Sequence, residues 1–198
     1  MVLPPDLPEI PLSAIVYRVV REGLDPLATV ASLKAGGRFN PPGEFGALYT
    51  SLDAATATKE VARGLRQRGV DPAQFPSGAW WIYELEVKIE TVLDLTDSDV
   101  LQKAGMQRDA LTASEVHATR KIAAEARRRG YQALLVPSAA APESKNLVVF
   151  LDKLPGPPIV LSSRTVNFQE EIRLTRPFQP LQVSWLPLRS RFSSLPID

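Results

Sequence analysis

The residues with the clearest potential for chemistry lie in a glycine- and proline-rich segment, residues 36–46. Four glycines and two prolines in eleven positions predict a shaped loop, because neither a helix nor a central strand tolerates them. Two glycines before Arg38 allow the backbone to turn tightly and to approach a ligand closely. Such a loop can present the Arg38 guanidinium and the Asn40 amide to a pocket, and a planar guanidinium suits phosphate. The alternative is a structural turn that leaves Arg38 in a surface ion pair.

A carboxylate at the edge of a helix is the second candidate. Apolar residues recur every four positions from Ala57, which predicts an amphipathic helix over 54–68. Glu60 borders the apolar face of that helix, whereas its basic residues lie on the outside. Gly64, one turn further on, leaves space beside the Glu60 carboxylate. Glu60 is therefore either a group that faces a site or an ordinary glutamate at the boundary between core and solvent.

Three other side chains carry weaker signals. Arg18 is the single charge in a run of β-branched residues, and a buried arginine needs a carboxylate or a ligand phosphate as its partner. Alternation along the strand would equally allow Arg18 to point to solvent. Ser138 follows a buried strand, at the kind of position where ligands collect, and Tyr49 lies in a short strand after the loop. Both residues are also compatible with purely structural roles.

Local sequence patterns predict two helices and several short strands that position these residues. Asp53 suits the N-cap of the first helix, and Gly69 lies just past its end. The second helix is predicted to begin at Ser114 and to end at three arginines followed by Gly130. Its buried stripe is predicted to consist of the apolar or small residues Val116, Thr119, Ala123 and Ala126. Strands are predicted over 14–20, 47–51, 80–89, 91–95, 131–137 and 146–151. The third and fourth segments could form one bent strand, and the mixture predicts the α+β class.

The two ends of the chain differ from the middle in composition. Residues 1–13 hold four prolines, which predicts an extended N-terminal arm. Residues 154–198 hold seven of the eighteen prolines and no long periodic stretch, which predicts an irregular C-terminal appendage packed on the core. The predicted organisation is therefore one α+β domain over 14–153, with an arm before it and an appendage after it.

Composition excludes several kinds of site. The 198 residues include no cysteine and one histidine, which removes disulfides, thiolate ligands, a cysteine nucleophile and histidine-rich metal clusters. A net charge of +1 argues against a protein whose main task is to bind nucleic acid. No stretch approaches the roughly 20 apolar residues that cross a bilayer, and the N-terminus has no signal-peptide pattern. We therefore expect a cytoplasmic protein that binds neither nucleic acid nor a membrane directly.

Taken in series, these segments resemble the RES-domain family, which is named for an arginine, a glutamate and a serine. The matching segments are Gly-Gly-Arg-Phe-Asn-Pro-Pro at 36–42, Ala-Leu-Tyr at 47–49, Lys-Glu-Val around Glu60, Val-Pro-Ser ending at Ser138, and Asn-Leu-Val-Val-Phe at 146–150. The first segment is fairly specific, and the order and spacing of the others agree with the family. The resemblance covers about residues 14–152 and leaves both ends of the chain outside it.

The resemblance implies a fold similar to that of ADP-ribosyltransferase toxins and an activity on NAD⁺. RES proteins are usually toxins of bacterial toxin–antitoxin pairs, and the antitoxin is an Xre-like helix-turn-helix protein. Several members degrade NAD⁺ by hydrolysis or by phosphorolysis, with inorganic phosphate as co-substrate in the second case and no cofactor. The resemblance therefore implies an intracellular toxin that cleaves the nicotinamide–ribose bond of NAD⁺ and is neutralised by a cognate antitoxin.

The resemblance also assigns roles to individual residues. The implied catalytic set is Arg38, Tyr49, Glu60 and Ser138. The implied NAD⁺-binding residues are Arg18, Asn40 and Asn146. In this assignment the glutamate stabilises an oxocarbenium-like transition state, and the arginines hold the pyrophosphate.

Two other functions stay open at this point. One branch of the family ADP-ribosylates a protein, so the chain could be a transferase that modifies a cellular protein. The chain could also be a module that binds NAD⁺ or a protein without turnover. Labelled NAD⁺ that becomes attached to a protein would indicate the transferase. NAD⁺ that is bound but stays intact would indicate the binding module.

Overall fold

The computed structural model describes residues 3–168 and contains six strands and four α-helices within them. The strands are β1 (Ile10–Arg21), β2 (Leu48–Ser51), β3 (Trp80–Asp94), β4 (Ala133–Pro137), β5 (Lys145–Val149) and β6 (Ile159–Thr165). The helices are α1 (Val30–Ala35), α2 (Ala54–Gln67), α3 (Ser98–Lys103) and α4 (His117–Arg128). Short 3-10 turns lie at Pro72–Gln74, Arg108–Leu111 and Leu151–Lys153.

Five of the strands close a small barrel. β1 pairs antiparallel with β2, β2 with β5, and β5 with β4. β4 then runs parallel to β3, and β3 pairs antiparallel with β1 to close the ring. β6 extends the sheet by pairing with the first half of β3. Buried aliphatic side chains such as Leu12, Leu48, Leu85 and Leu147 form the cluster between these strands, and the predicted α+β class is confirmed.

The barrel is nearly open between β1 and β2. These two strands share a single paired position, Tyr17 with Ser51, whereas β1 pairs with β3 along almost its whole length. The unpaired parts of β1 and β2 leave a gap in the barrel wall. α2 packs beside this gap, with Ala57 and Leu65 in the same buried cluster as Val19 of β1.

Helix α2 forms where the sequence predicts it. Asp53 is its N-cap, and the Asp53 carboxylate accepts hydrogen bonds from the N–H and from the hydroxyl of Thr56, both at 2.7 Å. Gly69 follows the C-cap with a φ of 75°, a conformation that glycine adopts without strain. The predicted helix over 54–68 is therefore confirmed to within one residue at its end.

Helix α4 begins three residues later than predicted. The sequence favours Ser114 as its first residue, but the helix starts at His117. The Glu115 carboxylate accepts a hydrogen bond from the His117 N–H at 2.6 Å, so a side chain that lies before the helix satisfies one of its first N–H groups. The predicted small and apolar stripe is buried at Thr119, Ala123 and Ala126.

The first strand begins four residues earlier than predicted. β1 starts at Ile10, so the last part of the predicted arm over 1–13 belongs to the sheet. The register of β1 against β3 shifts between Ile10 and Leu12, at Pro11, which has no N–H to donate. The proline therefore disturbs the pairing locally without ending the strand.

Other differences concern short or exposed elements. β3 is one continuous strand of 15 residues, as the bent-strand alternative predicts. α1 and α3 have six residues each, too few to show a helical period in the sequence. β6 lies within the predicted appendage and is exposed throughout, so backbone pairing with β3 holds it in place. Residues 1–2 and residues 169–198, the larger part of that appendage, lie outside the described residues. No helix between residues 3 and 168 is long and apolar enough to cross a membrane.

Candidate active site

The gap between β1 and β2 opens into a cleft of about 230 Å³. Its walls are residues 17–19 of β1, residues 49–51 of β2, Ala57, Glu60 and Val61 of α2, and Asn146 of β5. Four of the seven site residues predicted from the sequence therefore line the cleft, and these are Arg18, Tyr49, Glu60 and Asn146. They come from four different elements, which explains their separation in the sequence.

The Glu60 carboxylate is held through one of its oxygens. Glu60 Oε1 accepts hydrogen bonds from Ser138 Oγ at 2.6 Å, Asn146 Nδ2 at 2.7 Å and the Ala139 N–H at 3.0 Å. The Ala140 N–H adds a longer contact of 3.4 Å. No hydrogen bond among residues 3–168 reaches Oε2. The carboxylate is thus fixed in direction by four donors while its second oxygen stays available to a ligand.

The donors to Glu60 are themselves held in place. Ser138 is buried, and its Oγ accepts hydrogen bonds from the N–H groups of Ala140 at 3.1 Å and Ala141 at 3.0 Å. These two contacts direct the single hydroxyl proton of Ser138 towards Glu60. Asn146 Oδ1 accepts a hydrogen bond from Ser51 Oγ at 2.7 Å, which orients the amide. Ser138 therefore positions Glu60 and has no second proton to offer a ligand.

Arg18 lines the cleft with an incomplete set of hydrogen bonds. Its Nη2 donates to the Ala28 carbonyl at 2.9 Å, whereas its buried Nη1 has no partner within residues 3–168. Burial lowers the pKa of Arg18 to about 10, and attraction to Asp25 offsets only part of this effect. The side chain is still cationic at neutral pH. An anion in the cleft would supply the acceptor that the protein does not provide.

Arg38 lies near the cleft on the predicted loop. Its Nη1 donates to the Ala113 carbonyl, and its own carbonyl accepts a 2.6 Å hydrogen bond from Thr119 Oγ1. Burial is the main cause of the lowered pKa of Arg38, with repulsion from Arg63 second. The Glu60 charge acts in the opposite direction, although no ion pair within 4 Å joins the two in the described part of the chain. The half-buried Arg38 guanidinium is therefore attracted by the Glu60 carboxylate but forms no ion pair with it.

Tyr49 and Asn40 fix the shape of the loop. Tyr49 Oη accepts a hydrogen bond from the Phe39 N–H at 2.9 Å and donates to Asn40 Oδ1 at 2.8 Å. Asn40 is fully buried, and its Nδ2 donates to the carbonyls of Ser32 at 2.8 Å and Phe45 at 2.9 Å. Burial raises the pKa of Tyr49 to about 12. The Tyr49 hydroxyl therefore stabilises the loop conformation. The sequence predicts that Asn40 faces the pocket, but in the structure Asn40 is buried in the loop and does not line the cleft.

Close packing explains one of the loop glycines. A Cβ on Gly37 would overlap the hydroxyl of Tyr49, so only glycine allows this approach. The Gly37 carbonyl accepts a hydrogen bond from Arg120 Nε at 2.9 Å. Arg120 and Thr119 of α4 thus hold the backbone that carries Arg38, and neither was singled out as a site residue from the sequence. Thr119 lies on the stripe predicted to be buried, but no local signal distinguishes Arg120.

Comparisons with known proteins identify the family. The RES-domain family matches residues 15–170. A Mycobacterium tuberculosis protein named "Probable NAD(+) phosphorylase Rv3189" is 33% identical over 120 residues, which are 61% of this chain and 56% of that protein. The NAD(+) phosphorylase MbcT of Mycobacterium bovis is 26% identical over 127 residues, which are 64% of this chain and 68% of that protein. The chain thus spans little more than half the length of the first of these relatives.

A solved structure has the same fold. The crystal structure of the M. tuberculosis MbcT–MbcA toxin–antitoxin complex matches with a TM-score of 0.75 and 24% identity, over 83% of this chain and 92% of that chain. The match over residues 15–170 confirms the resemblance carried by the segment 36–42, Glu60 and Ser138. The chain belongs to the RES-domain family.

Proposed function

We propose that the cleft cleaves the bond between nicotinamide and ribose in NAD⁺, and that the protein is a toxin of a toxin–antitoxin pair. The observation that carries this proposal is the Glu60 carboxylate, which is held through Oε1, while Oε2 receives no hydrogen bond from residues 3–168 and lies in a cleft that Arg18 lines. The names of the relatives support it, because the M. tuberculosis protein is named a probable NAD(+) phosphorylase and the M. bovis protein an NAD(+) phosphorylase.

The chemistry of this bond sets what the site must supply. The nicotinamide of NAD⁺ carries a positive charge, and it takes the electron pair of the breaking C–N bond and leaves as a neutral molecule. No strong general acid is required, and the ribose develops an oxocarbenium-like positive charge. An oxygen of phosphate or of water then forms a bond to C1, the ribose carbon that nicotinamide leaves. When water is the acceptor, it also releases a proton. The site therefore needs a fixed negative charge near C1 and cations for the pyrophosphate.

The cleft contains groups of both kinds. Glu60 Oε2 would face C1 and a ribose hydroxyl, and its fixed partner oxygen means that the carboxylate needs little reorganisation. Arg18 and Arg38 would bind the pyrophosphate, and the Tyr49 ring would lie against the nicotinamide. A volume of about 230 Å³ is below the roughly 300–1,000 Å³ of pockets that enclose a whole drug-sized ligand. We infer that the cleft takes the nicotinamide ribose and that the adenosine lies outside it.

The proposal extends to the fold relationship, the partner and the location. A barrel that is split between two strands and flanked by a helix supports kinship with ADP-ribosyltransferase toxins. An enzyme that consumes NAD⁺ in the cytoplasm would harm its own cell, so a cognate antitoxin of the Xre-like helix-turn-helix type should cover the cleft. The MbcT–MbcA structure, which is a toxin–antitoxin complex, supports a partner of this general kind.

Product analysis tests the proposed reaction. The full chain is incubated with NAD⁺, with and without inorganic phosphate, and the products are separated by chromatography. We expect free nicotinamide, together with ADP-ribose 1-phosphate when phosphate is present. NAD⁺ that is bound but remains intact would contradict the proposal, and ADP-ribose attached to protein would favour the transferase alternative. Induced expression should also stop bacterial growth and lower cellular NAD⁺.

A further inference from the structure

A second depression lies on the outer side of α2, next to the cleft. It measures about 580 Å³ and is lined by Lys59, Arg63, Arg66 and Gln67 of α2, and by Ala139 and Ala140 of the loop after β4. We call this depression the basic groove. Its three cationic residues occupy positions i, i+4 and i+7 of the helix, which places them on one face.

The cations of the basic groove have no carboxylate partners. Within residues 3–168, no ion pair involves Lys59, Arg63 or Arg66. The basic end of α4 is different, because Arg127 pairs with Asp152, while Arg128 and Arg129 both pair with Glu125. Among residues 3–168, the clustered charges of α4 are thus neutralised by carboxylates, whereas those of the basic groove have no carboxylate within ion-pair distance and can attract an external anion.

The basic groove is physically connected to the cleft. The N–H groups of Ala139 and Ala140, which belong to the groove wall, point to Glu60 Oε1. Arg63 is close enough to Arg38 for its charge to lower the pKa of that guanidinium. Gly64 has no side chain, and a Cβ there would meet nothing within 4 Å. An anion held in the groove would therefore lie on the face of α2 next to the one that carries the Glu60 carboxylate, with Ala139 and Ala140 between them.

We propose that the basic groove binds a phosphate anion and supplies inorganic phosphate to the cleft as the acceptor of the reaction. This inference rests on the proposed function for the role of the anion, but not for its binding. Arg18 lines the cleft, and Arg18 and Arg38 are already proposed to bind the pyrophosphate, so the groove cations are left for a second anion. A dianion that approaches Glu60 is repelled by the carboxylate, and three nearby cations offset that repulsion.

A matched pair of variants tests the inference. Arg66 and Arg68 are both exposed arginines near the end of α2, but only Arg66 lines the groove. Arg66→Gln and Arg68→Gln remove the same charge, so a difference between them reports the groove. Calorimetric titration of the full chain with inorganic phosphate alone measures binding without turnover. We expect Arg66→Gln to weaken phosphate binding roughly tenfold, as for the loss of one charge-assisted hydrogen bond, and Arg68→Gln to leave it unchanged.

Steady-state kinetics then separate the two sources of phosphate. If inorganic phosphate occupies the groove, Arg66→Gln raises the KM for phosphate and leaves the KM for NAD⁺ unchanged. A rise in the KM for NAD⁺ alone would assign the groove to a phosphate of the dinucleotide and overturn the acceptor role. Equal phosphate affinities in the two variants, or no phosphate binding by the unaltered chain, would overturn the site itself. If phosphate binding depends on Arg66 but the chain leaves NAD⁺ intact, the proposed function is contradicted, whereas the phosphate site in the basic groove is supported.

Discussion

The two sides of the cleft satisfy their polar groups in opposite ways. On the carboxylate side, four donors converge on one oxygen of Glu60, and Ser138 and Asn146 accept further hydrogen bonds behind it. On the arginine side, Arg18 has a buried nitrogen without an acceptor within residues 3–168, and Arg38 donates to a single backbone carbonyl. On the carboxylate side, the protein already holds Glu60 Oε1 and leaves Oε2 to a ligand, whereas on the arginine side a buried donor still lacks its acceptor.

This difference indicates how the two sides would contribute to function. Donors that already hold a carboxylate need not move when charge develops in a transition state, so the Glu60 side can act on turnover. An arginine without a full set of acceptors has lost hydration that an anionic ligand can replace, so the arginine side can act on affinity. Substitutions on the two sides should therefore have separable effects.

The largest effect is expected for Glu60→Gln. This substitution keeps the size and much of the hydrogen bonding but removes the negative charge that would face the oxocarbenium-like state. Turnover should fall by roughly 10²–10³-fold, the scale seen when one preorganised electrostatic partner is lost. The Kd for NAD⁺ should change little, because the arginines would hold the phosphates. Single-turnover assays and calorimetry measure the two quantities separately.

A neutralisation outside the cleft is the control for Glu60→Gln. Glu44→Gln alters an exposed residue of the same loop that carries Arg38 and changes the net charge by the same amount. It should leave turnover and affinity unchanged. A Glu60→Gln protein that cleaves NAD⁺ at close to the normal rate would remove Glu60 from the mechanism, and with it the main support for the proposed function.

Arg38→Gln should act on affinity instead of turnover. The variant loses a charge-assisted hydrogen bond to phosphate, worth roughly 1.5–3 kcal/mol, so the Kd for NAD⁺ should rise by one to two orders of magnitude. The fold should persist, because Tyr49 and Asn40 maintain the loop without the Arg38 side chain. Calorimetry and thermal unfolding test both statements. A large loss of thermal stability with unchanged affinity would show that Arg38 is structural.

Arg18→Met should separate affinity from stability most clearly. Burial lowers the pKa of Arg18 to about 10, so the folded chain holds this proton less tightly than the unfolded chain does. The charge therefore costs stability at neutral pH, and this cost decreases only as the pH rises through about 10 towards the ordinary value for arginine. At neutral pH, Arg18→Met should not lower the Tm, whereas it should raise the Kd for NAD⁺ roughly ten- to a hundredfold. A lowered Tm with normal NAD⁺ affinity would place Arg18 among the structural residues.

The sequence predicts those parts of the site that depend on local patterns. Asp53 and the four-residue period define α2, and they place Glu60 at the edge of its buried face, as observed. The glycines before Arg38 predict a loop with close backbone packing, and the contact between Gly37 and Tyr49 is of this kind. Caps, periods and turns are encoded within a few neighbouring residues, so they can be recognised without knowledge of the fold.

Contacts between distant segments could not be predicted in the same way. Ser138 and Glu60 are 78 residues apart, and their hydrogen bond exists because the segment that follows β4 packs against the middle of α2. Asn40 and Arg18 illustrate this with opposite outcomes. Asn40 was predicted to bind a ligand, but its amide forms hydrogen bonds inside the loop. Arg18 could have pointed to solvent, but it is buried at the cleft, where Nη1 has no partner within residues 3–168. Tertiary packing decides which polar side chains are satisfied by the protein and which are left for a ligand.

The smallest effect on turnover is expected for Ser138→Ala, on the carboxylate side of the cleft. Asn146 and the Ala139 N–H still hold Glu60 Oε1 in this variant, so we expect kcat to fall by about tenfold or less, with an unchanged KM for NAD⁺. Stability should respond more, because the Ala141 N–H loses its acceptor and the Ala140 N–H keeps only its 3.4 Å contact with Glu60 Oε1. Leaving partly buried donors without a good acceptor costs up to about 1–3 kcal/mol, which denaturant unfolding can measure.

Ser138→Ala and Arg18→Met thus form opposite halves of one test. If the serine holds the carboxylate from behind, its loss lowers stability and kcat and leaves affinity intact. If Arg18 needs an anionic ligand to complete its hydrogen bonds, its loss weakens the affinity for NAD⁺ and does not lower the stability of the fold. A Ser138→Ala protein with weakened NAD⁺ binding and normal stability would show that the hydroxyl contacts the ligand directly. The contrast between a carboxylate that the protein holds and arginines whose acceptor a ligand supplies would then not hold at Ser138.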